Sequence, residues 1–523
     1  MPASPSNKRR NAAVACFRWF SSWVEKVMHL WLKLQVSHRG GKYSLERLLA
    51  LEEYTRTTSI YRVILVCFGT PLPMMTLVVA QELVPLQDPS EGSLANYGFW
   101  IRASLLTAVI AHTAAVQFHY LVDRVKISQT QCVAIACCVG STFPVLMMHI
   151  AAMIVFPIPF IPILTFPVFY VLLIISFRVV AGKGFFRDAA ADMDQTIRFV
   201  KYISCQVLLI IVYPAYQALF SVAVATNHEL VVMLMLPIIK SLIKYLLLRM
   251  TTDLTPESVI FTVDFFNALY LATSMQRATS TTTIVTFVAL DMFHLVFGLY
   301  GHFRRTSSIQ GRLREVVGGC DQGNLLTAIA LLCRKPDIFA RQVRSGIQLH
   351  SSLSYRLPDA TQQLLNVLGE IKSSRSCRHR SHSIHPSTPQ FFIVVPHSFV
   401  QTHGLARVHP VVPTKADESA FILQETLETM FTSECHVLTE YLESIIPVLY
   451  GCFVLMIVRL PNAKYHLDLE GITRENATTT VHSVFVLAAL VHRTRSRDAA
   501  KLWGESLLPP GVRLGDPNDA DPR

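Results

Sequence analysis

The sequence predicts an all-α fold: a polytopic transmembrane helix bundle of nine or ten spans with a partly disordered cytoplasmic insertion. Three observations predict it. Hydrophobic residues make up 51% of the 523-residue chain and charged residues only 16%, with a mean hydropathy of +0.39; a soluble chain of this size needs more charge to clothe its surface. Apolar stretches recur at lengths close to the ~20 residues that cross a bilayer. Lys and Arg gather in alternate loops between those stretches, as the positive-inside rule requires.

The net charge of +11 would suggest nucleic acid in a soluble chain. Here the basic residues lie beside apolar segments and no groove-reading motif accompanies them, so orientation signals and anionic-lipid contacts explain the charge, and no nucleic-acid partner is expected. The 11 cysteines show no CxxC spacing, which argues against structural zinc and disulfide-stapled loops.

Residues 1–60 form a basic segment expected to be cytoplasmic. Phe17, Trp19, Phe20, Trp23, Val27, Leu30, Trp31 and Leu34 recur at helical spacing among Arg18, Lys26 and Lys33, the pattern of a helix lying among anionic lipid headgroups. The acid-free stretch up to Val24 also fits a mitochondrial presequence. Spans follow at about 61–80, 100–121, 132–154, 160–178, 202–224, 231–249, 258–275 and 282–300, making a bundle over 61–303. A ninth is expected at about 442–460 and a short tenth at about 478–491, within a segment 441–492 that precedes a polar tail, 493–523.

Loop charge orients the bundle. Lys33 to Arg56, Arg124 with Lys126, Arg178 to Lys201, and Arg304 to Arg314 fall on one side, whereas 81–98 carries Glu82, Asp88 and Glu91 without a base. The N-terminus is thereby expected in the cytoplasm, in a plasma membrane or endomembrane, and the sequon at Asn476 outside. Prolines inside spans, from Pro71 and Pro73 to Pro447, predict kinks, and the proline-dense run 156–162 predicts a turn between the third and fourth spans. The polar insertion, 304–440, shows helical periodicity at Asn324–Cys333, Asp359–Ile371 and Ala420–Leu438. Its Ser-, His-, Arg- and Pro-rich stretch 372–416 is expected to be disordered.

The stretch Tyr43 to Tyr54, the segment Pro71 through Pro89, Phe99-Trp-Ile-Arg102, and Glu440 to Glu443 through Leu460-Pro-Asn-Ala-Lys-Tyr-His466 resemble an uncharacterised family of multispan membrane proteins from oomycetes. The resemblance reaches to about residue 480. It implies a shared multispan organisation and contributes no activity. Beyond 480 it implies further membrane-spanning sequence, whereas this chain turns polar, so a shortened C-terminus is expected.

The candidate site is a set of polar side chains in the sixth to eighth spans: Lys240 and Lys244, Asp264 and Asn267, Asp291 and His294. Each pair is three or four residues apart and shares a helix face. Counted at 1.5 Å per residue from the cytoplasmic side, Lys244, Asp264 and His294 share a level roughly 8–9 Å deep, and Lys240, Asn267 and Asp291 one roughly 13–14 Å deep. Lys244 is therefore expected to approach Asp264 or His294, and Lys240 to approach Asp291 or Asn267. An unpaired charge at mid-span costs roughly 2.5–3.5 kcal/mol, so pairing is the economical arrangement, whether in a structural ion-pair cluster or in a proton- or ion-coupled pathway.

Arg62, Arg102 and Glu443 stand near span ends and are expected to reach the interface. His112 and His119 are expected as core histidines, and the His379, His382, His385 run with His397, His403 and His409 as a solvated basic loop. HExxH, GxSxG, GxxxxGK[ST] and a GxGxxG in its βα context are missing, so no enzyme, cofactor or metal site is expected. The leading function is a secondary transporter or channel-like protein acting on an unidentified solute or ion. The alternative is a non-catalytic scaffold or receptor whose insertion binds partners.

Overall fold

The computed structural model describes residues 43–486 apart from 123, 159–160, 251–255, 279, 318–324, 343–346, 352–354, 356, 381–421, 467–468, 470, 480 and 483. The N-terminal interfacial helix, the histidines from His382 to His409, and the tail after 486 lie outside them. In chain order the helices are α1 Leu45–Thr57, α2 Ile60–Gly69, α3 Leu72–Leu83, α4 Tyr97–Leu121, α5 Gln129–Met153, α6 Ile161–Val180, α7 Gly182–Ala191, α8 Met193–Ala225, α9 Glu229–Met250, α10 Pro256–Arg277, α11 Thr281–Val317, α12 Leu325–Arg334, α13 Pro336–Gln342, α14 Asp359–Arg380 and α15 Ile422–Ile457. A single bridge, Ser44 to Gln348, is the nearest approach to a sheet among the described residues.

Eight helical stretches among the described residues are long and apolar enough to cross a membrane: Ile60–Leu83, Tyr97–Leu121, Gln129–Met153, Ile163–Val180, Met193–Ala225, Glu229–Leu247, Ser258–Arg277 and Ile422–Ile457. The chain is thus an integral, multi-pass membrane protein with an all-α fold. The expected eighth span falls inside α11, which continues to Val317, and the doubtful tenth falls on short helical pieces from Ala477. α14 runs on to Arg380, so residues 372–380 of the stretch expected to be disordered are helical.

Local chemistry sets the boundaries. Ser128 caps α5 by accepting from the Gln131 amide, while the Gln131 side chain accepts from the Ser128 amide, a reciprocal box that satisfies two orphan donors. The first span breaks between Gly69 and Leu72, where Pro71 and Pro73 interrupt the backbone ladder. Pro144, Pro167, Pro214, Pro237 and Pro447 stay inside continuous helices, as membrane helices tolerate when neighbours re-satisfy the backbone.

The chain divides into two units. One holds the described parts of 61–295 and 435–495. There α4 and α5 pack so closely that a Cβ on Gly140 would lie 2.7 Å from the Ala108 Cβ, and the Ser104 hydroxyl donates to the Gly140 carbonyl at 2.6 Å. Within this unit α10 is the most enclosed span, with 61% of its apolar window buried against 28% for α9. A helix so enclosed can carry polar side chains that lipid would reject.

The other unit holds 40–60 and 296–434. The buried face of α1, Leu45, Leu48 and Leu49, packs with α12, while the Leu45 and Glu46 amides donate to the Gln348 and Leu349 carbonyls. The Glu46 carboxylate accepts from the amides of Ser351 and Tyr355. The distal half of α11 runs antiparallel to the start of α15, joined by Arg305 to Glu428 at 3.2 Å, Arg312 to Glu425 at 2.5 Å and the Ser433 hydroxyl to His302 Nε2 at 2.9 Å. These pairs lie around the buried Ile309, Leu313, Leu423, Leu427 and Met430.

Candidate functional site

The structure brings Lys240, Lys244 and Asp264 together and adds Glu443. Asp264 is fully buried on α10. Lys244 Nζ lies 2.7 Å from its Oδ1 and 2.8 Å from its Oδ2, and Lys240 Nζ lies 3.1 Å from Oδ1. The Thr439 hydroxyl donates to Oδ2 at 2.7 Å. Lys240 also pairs with Glu443 Oε1 at 2.5 Å. Two ammonium groups thus meet two carboxylates, a charge-balanced cluster held by α9, α10 and α15.

The spacing that places each group is local. Lys240 and Lys244 are one turn apart on α9, and Thr439 and Glu443 one turn apart on α15, so each pair presents together to α10. Buried charges persist only with such close, hydrogen-bonded partners. Side-chain exposure is 19% for Lys240, 14% for Lys244 and 12% for Glu443, against 0% for Asp264. The carboxylate shared by both lysines is the sealed centre and the other three form its rim.

Lys244 meets Asp264, one of its two expected partners. Lys240 departs from expectation, choosing Asp264 and Glu443 over Asn267. Asn267 is buried one turn beyond Asp264 with its Oδ1 unbonded. Asp291 and His294 lie within α11, but their side chains fall outside the described residues.

Glu443, expected at the interface, is a correction. α15 begins at Ile422, twenty residues before the expected span, so Glu443 stands roughly 21 Å along the helix from its Ile457 end. The signal that could have found it is the one-turn spacing of Thr439 and Glu443 ahead of an apolar run.

Arg102 is a second correction. It donates to the Glu82 and Val84 carbonyls and pairs with the Glu82 carboxylate at 3.0 Å. His466 Nε2 meets the same carboxylate at 3.0 Å. Asn462 donates to the Glu82 and Val84 carbonyls and accepts from the Leu86 amide. This knot ties the turn after α3 to the start of α4 and to the segment after α15.

His119 serves the backbone, its Nδ1 accepting from the Ile127 amide at 3.2 Å. Among the described residues no three His, Cys, Asp or Glu side chains converge as a metal site. On the outer face of α5, Ser141, Thr142, Val145, Leu146 and His149 line a shallow open depression, and the hydroxyls and the His149 ring are bonded to their own helix carbonyls. No family model, curated protein or solved structure matches the chain.

Proposed function

We propose that the protein moves a solute or ion across the bilayer, as a secondary transporter or channel-like protein, with Lys240, Lys244, Asp264 and Glu443 as the polar centre of its pathway. The observation that carries this reading is the sharing of Lys240 between two carboxylates. A charge fastened for stability needs one partner. An ammonium held between two has two alternative arrangements, and protonation of either carboxylate selects between them, which is the bistable element a coupled pathway needs. Ionisable groups inside a membrane are costly, and pathways are where that cost is returned.

The complete burial of Asp264 favours a second reading. In it the chain is a scaffold or receptor, the four charges only fasten α9, α10 and α15, and the 304–440 insertion binds partners. Reconstitution of the purified protein in vesicles, screened against a panel of ions and polar solutes, separates the two. Transport predicts a measurable flux that Glu443→Gln abolishes while thermal stability in detergent is kept. A chain that passes nothing from the panel, and in which Glu443→Gln only lowers the melting temperature, leaves the fastening reading.

A further inference from the structure

From the charge cluster, polar side chains continue along one side of α10. Asp264 is followed by Asn267, Tyr270, Thr273 with Ser274, and Arg277. Steps of three or four residues keep one helix face over roughly 20 Å of rise. α8 packs against α10 and answers with Tyr213, Tyr216, Gln217 and Ser221. The rows touch along their length. The Tyr213 and Tyr270 rings stack with centroids 5.1 Å apart, the Thr273 hydroxyl donates to Gln217 Oε1 at 3.3 Å, and Arg277 donates to the Ser221 hydroxyl at 3.0 Å. Tyr213 also lies within electrostatic reach of Lys240 and Asp264. The paired rows therefore start at the cluster and end at the C-terminus of α10.

A polar row in an apolar bundle is costly unless its atoms are bonded. Four of them have no protein partner: the Tyr213 and Tyr216 hydroxyls, Asn267 Oδ1 and the Ser274 hydroxyl. None of these residues is more than 6% exposed. The Tyr216 and Ser274 hydroxyls are neighbours, yet neither completes a direct hydrogen bond, which is the spacing a bridging water closes. Phe at 213 and 216 would fill the same volume without stranding a hydroxyl, so these groups ask for a small ligand that both donates and accepts.

We propose that this face of α8 and α10 binds a file of water molecules between Asp264 and Arg277, and that the file passes protons to and from the buried cluster. The inference rests on the transport reading and makes the proton the transported or coupling ion. In the elementary step a hydronium in the file gives its proton to the Asp264 or Glu443 carboxylate and becomes water. The carboxylic acid then releases Lys240 to the other carboxylate, and nothing is oxidised or reduced.

Radiolytic hydroxyl labelling of the full chain in nanodiscs reads the water directly, because oxidation of a buried tyrosine tracks the water beside it. Tyr213 and Tyr216 should label within about threefold of the exposed Tyr97. In phosphatidylcholine vesicles holding a pH-sensitive dye, the Tyr216→Phe/Ser274→Ala double variant should lower proton flux about tenfold or more, with its melting temperature in detergent kept. Unlabelled tyrosines overturn the water file, and if an ion other than the proton still crosses, the transport reading survives that failure. Labelled tyrosines with a proton flux unchanged in the double variant overturn the proton role. Labelled tyrosines in a wild type that passes nothing overturn the transport reading and the proton role together.

Discussion

Replacing Asp264 by Leu removes the one carboxylate that both lysines share. Lys240 keeps Glu443. Lys244 keeps no carboxylate within ion-pair distance among the described residues, so its ammonium is stranded in the bundle. Stranding a buried charge costs about 3–5 kcal/mol, and the Thr439 hydroxyl loses its acceptor for about 1 kcal/mol more. Lys244→Met in the same background then removes the stranded charge at nearly constant volume. Because apolar replacement of a whole buried ion pair is often neutral, the double variant should recover about 2–4 kcal/mol of what Asp264→Leu lost. Unfolding free energies of the wild type, both single variants and the double, measured in mixed detergent and dodecyl sulfate, close the cycle. A coupling of about 2 kcal/mol or more is expected. Effects that add within about 0.5 kcal/mol refute the reasoning, because they would mean that the Lys244 ammonium is hydrated rather than held by Asp264.

Two further outcomes are expected away from the cluster. His302 lies beyond the expected span 282–300, and burial, with the Arg305 charge beside it, holds its ring down to about 4 from the ordinary 6.5. Below pH 6.5 an unfolded chain takes up a proton that the folded ring refuses. The stability of the α11/α15 pairing is therefore full above that pH and falls by up to about 3 kcal/mol as the pH approaches 4; carbon NMR of labelled histidine checks this, and a His302 ring titrating near 6.5 would sink it. At Gly451 an added Cβ would lie 2.6 Å from the Phe485 ring and 2.8 Å from a Val481 methyl, so Gly451→Val should cost about 1–3 kcal/mol by overpacking. Phe485→Ala should rescue part of that loss, and thermal melts of the two single variants and the double decide it.

The spans were legible because bilayer thickness is written directly into sequence as apolar length. Of the expected spans, the one at 442–460 shows where that signal stops. A hydropathy window registers where an apolar run begins, not where a helix begins, and α15 begins at Ile422, among Glu425, Glu428 and Glu434 that pair with Arg312, Arg305 and Arg47. Glu443 was misplaced for the same reason. Arg102 was misplaced for another: most of its acceptors are the backbone carbonyls of Glu82 and Val84. Every residue type carries a carbonyl, so only the path of the turn after α3 makes these acceptors converge, and no composition signals it.

Depth counting found the Lys244 and Asp264 pair and missed the second partner of Lys240, and the length of the lysine side chain explains both. A turn of helix rises 5.4 Å, and a lysine stem of four methylenes carries its ammonium about that far. Backbone depth therefore fixes the partner of a lysine only to within one turn. Inside that reach the choice falls to charge: a carboxylate holds an ammonium more strongly than a neutral amide does, so Lys240 takes Asp264 and Glu443 and leaves Asn267 Oδ1 unbonded. The amide that depth counting assigned to Lys240 thereby becomes the first unbonded polar atom of the row that continues along α10 toward Arg277.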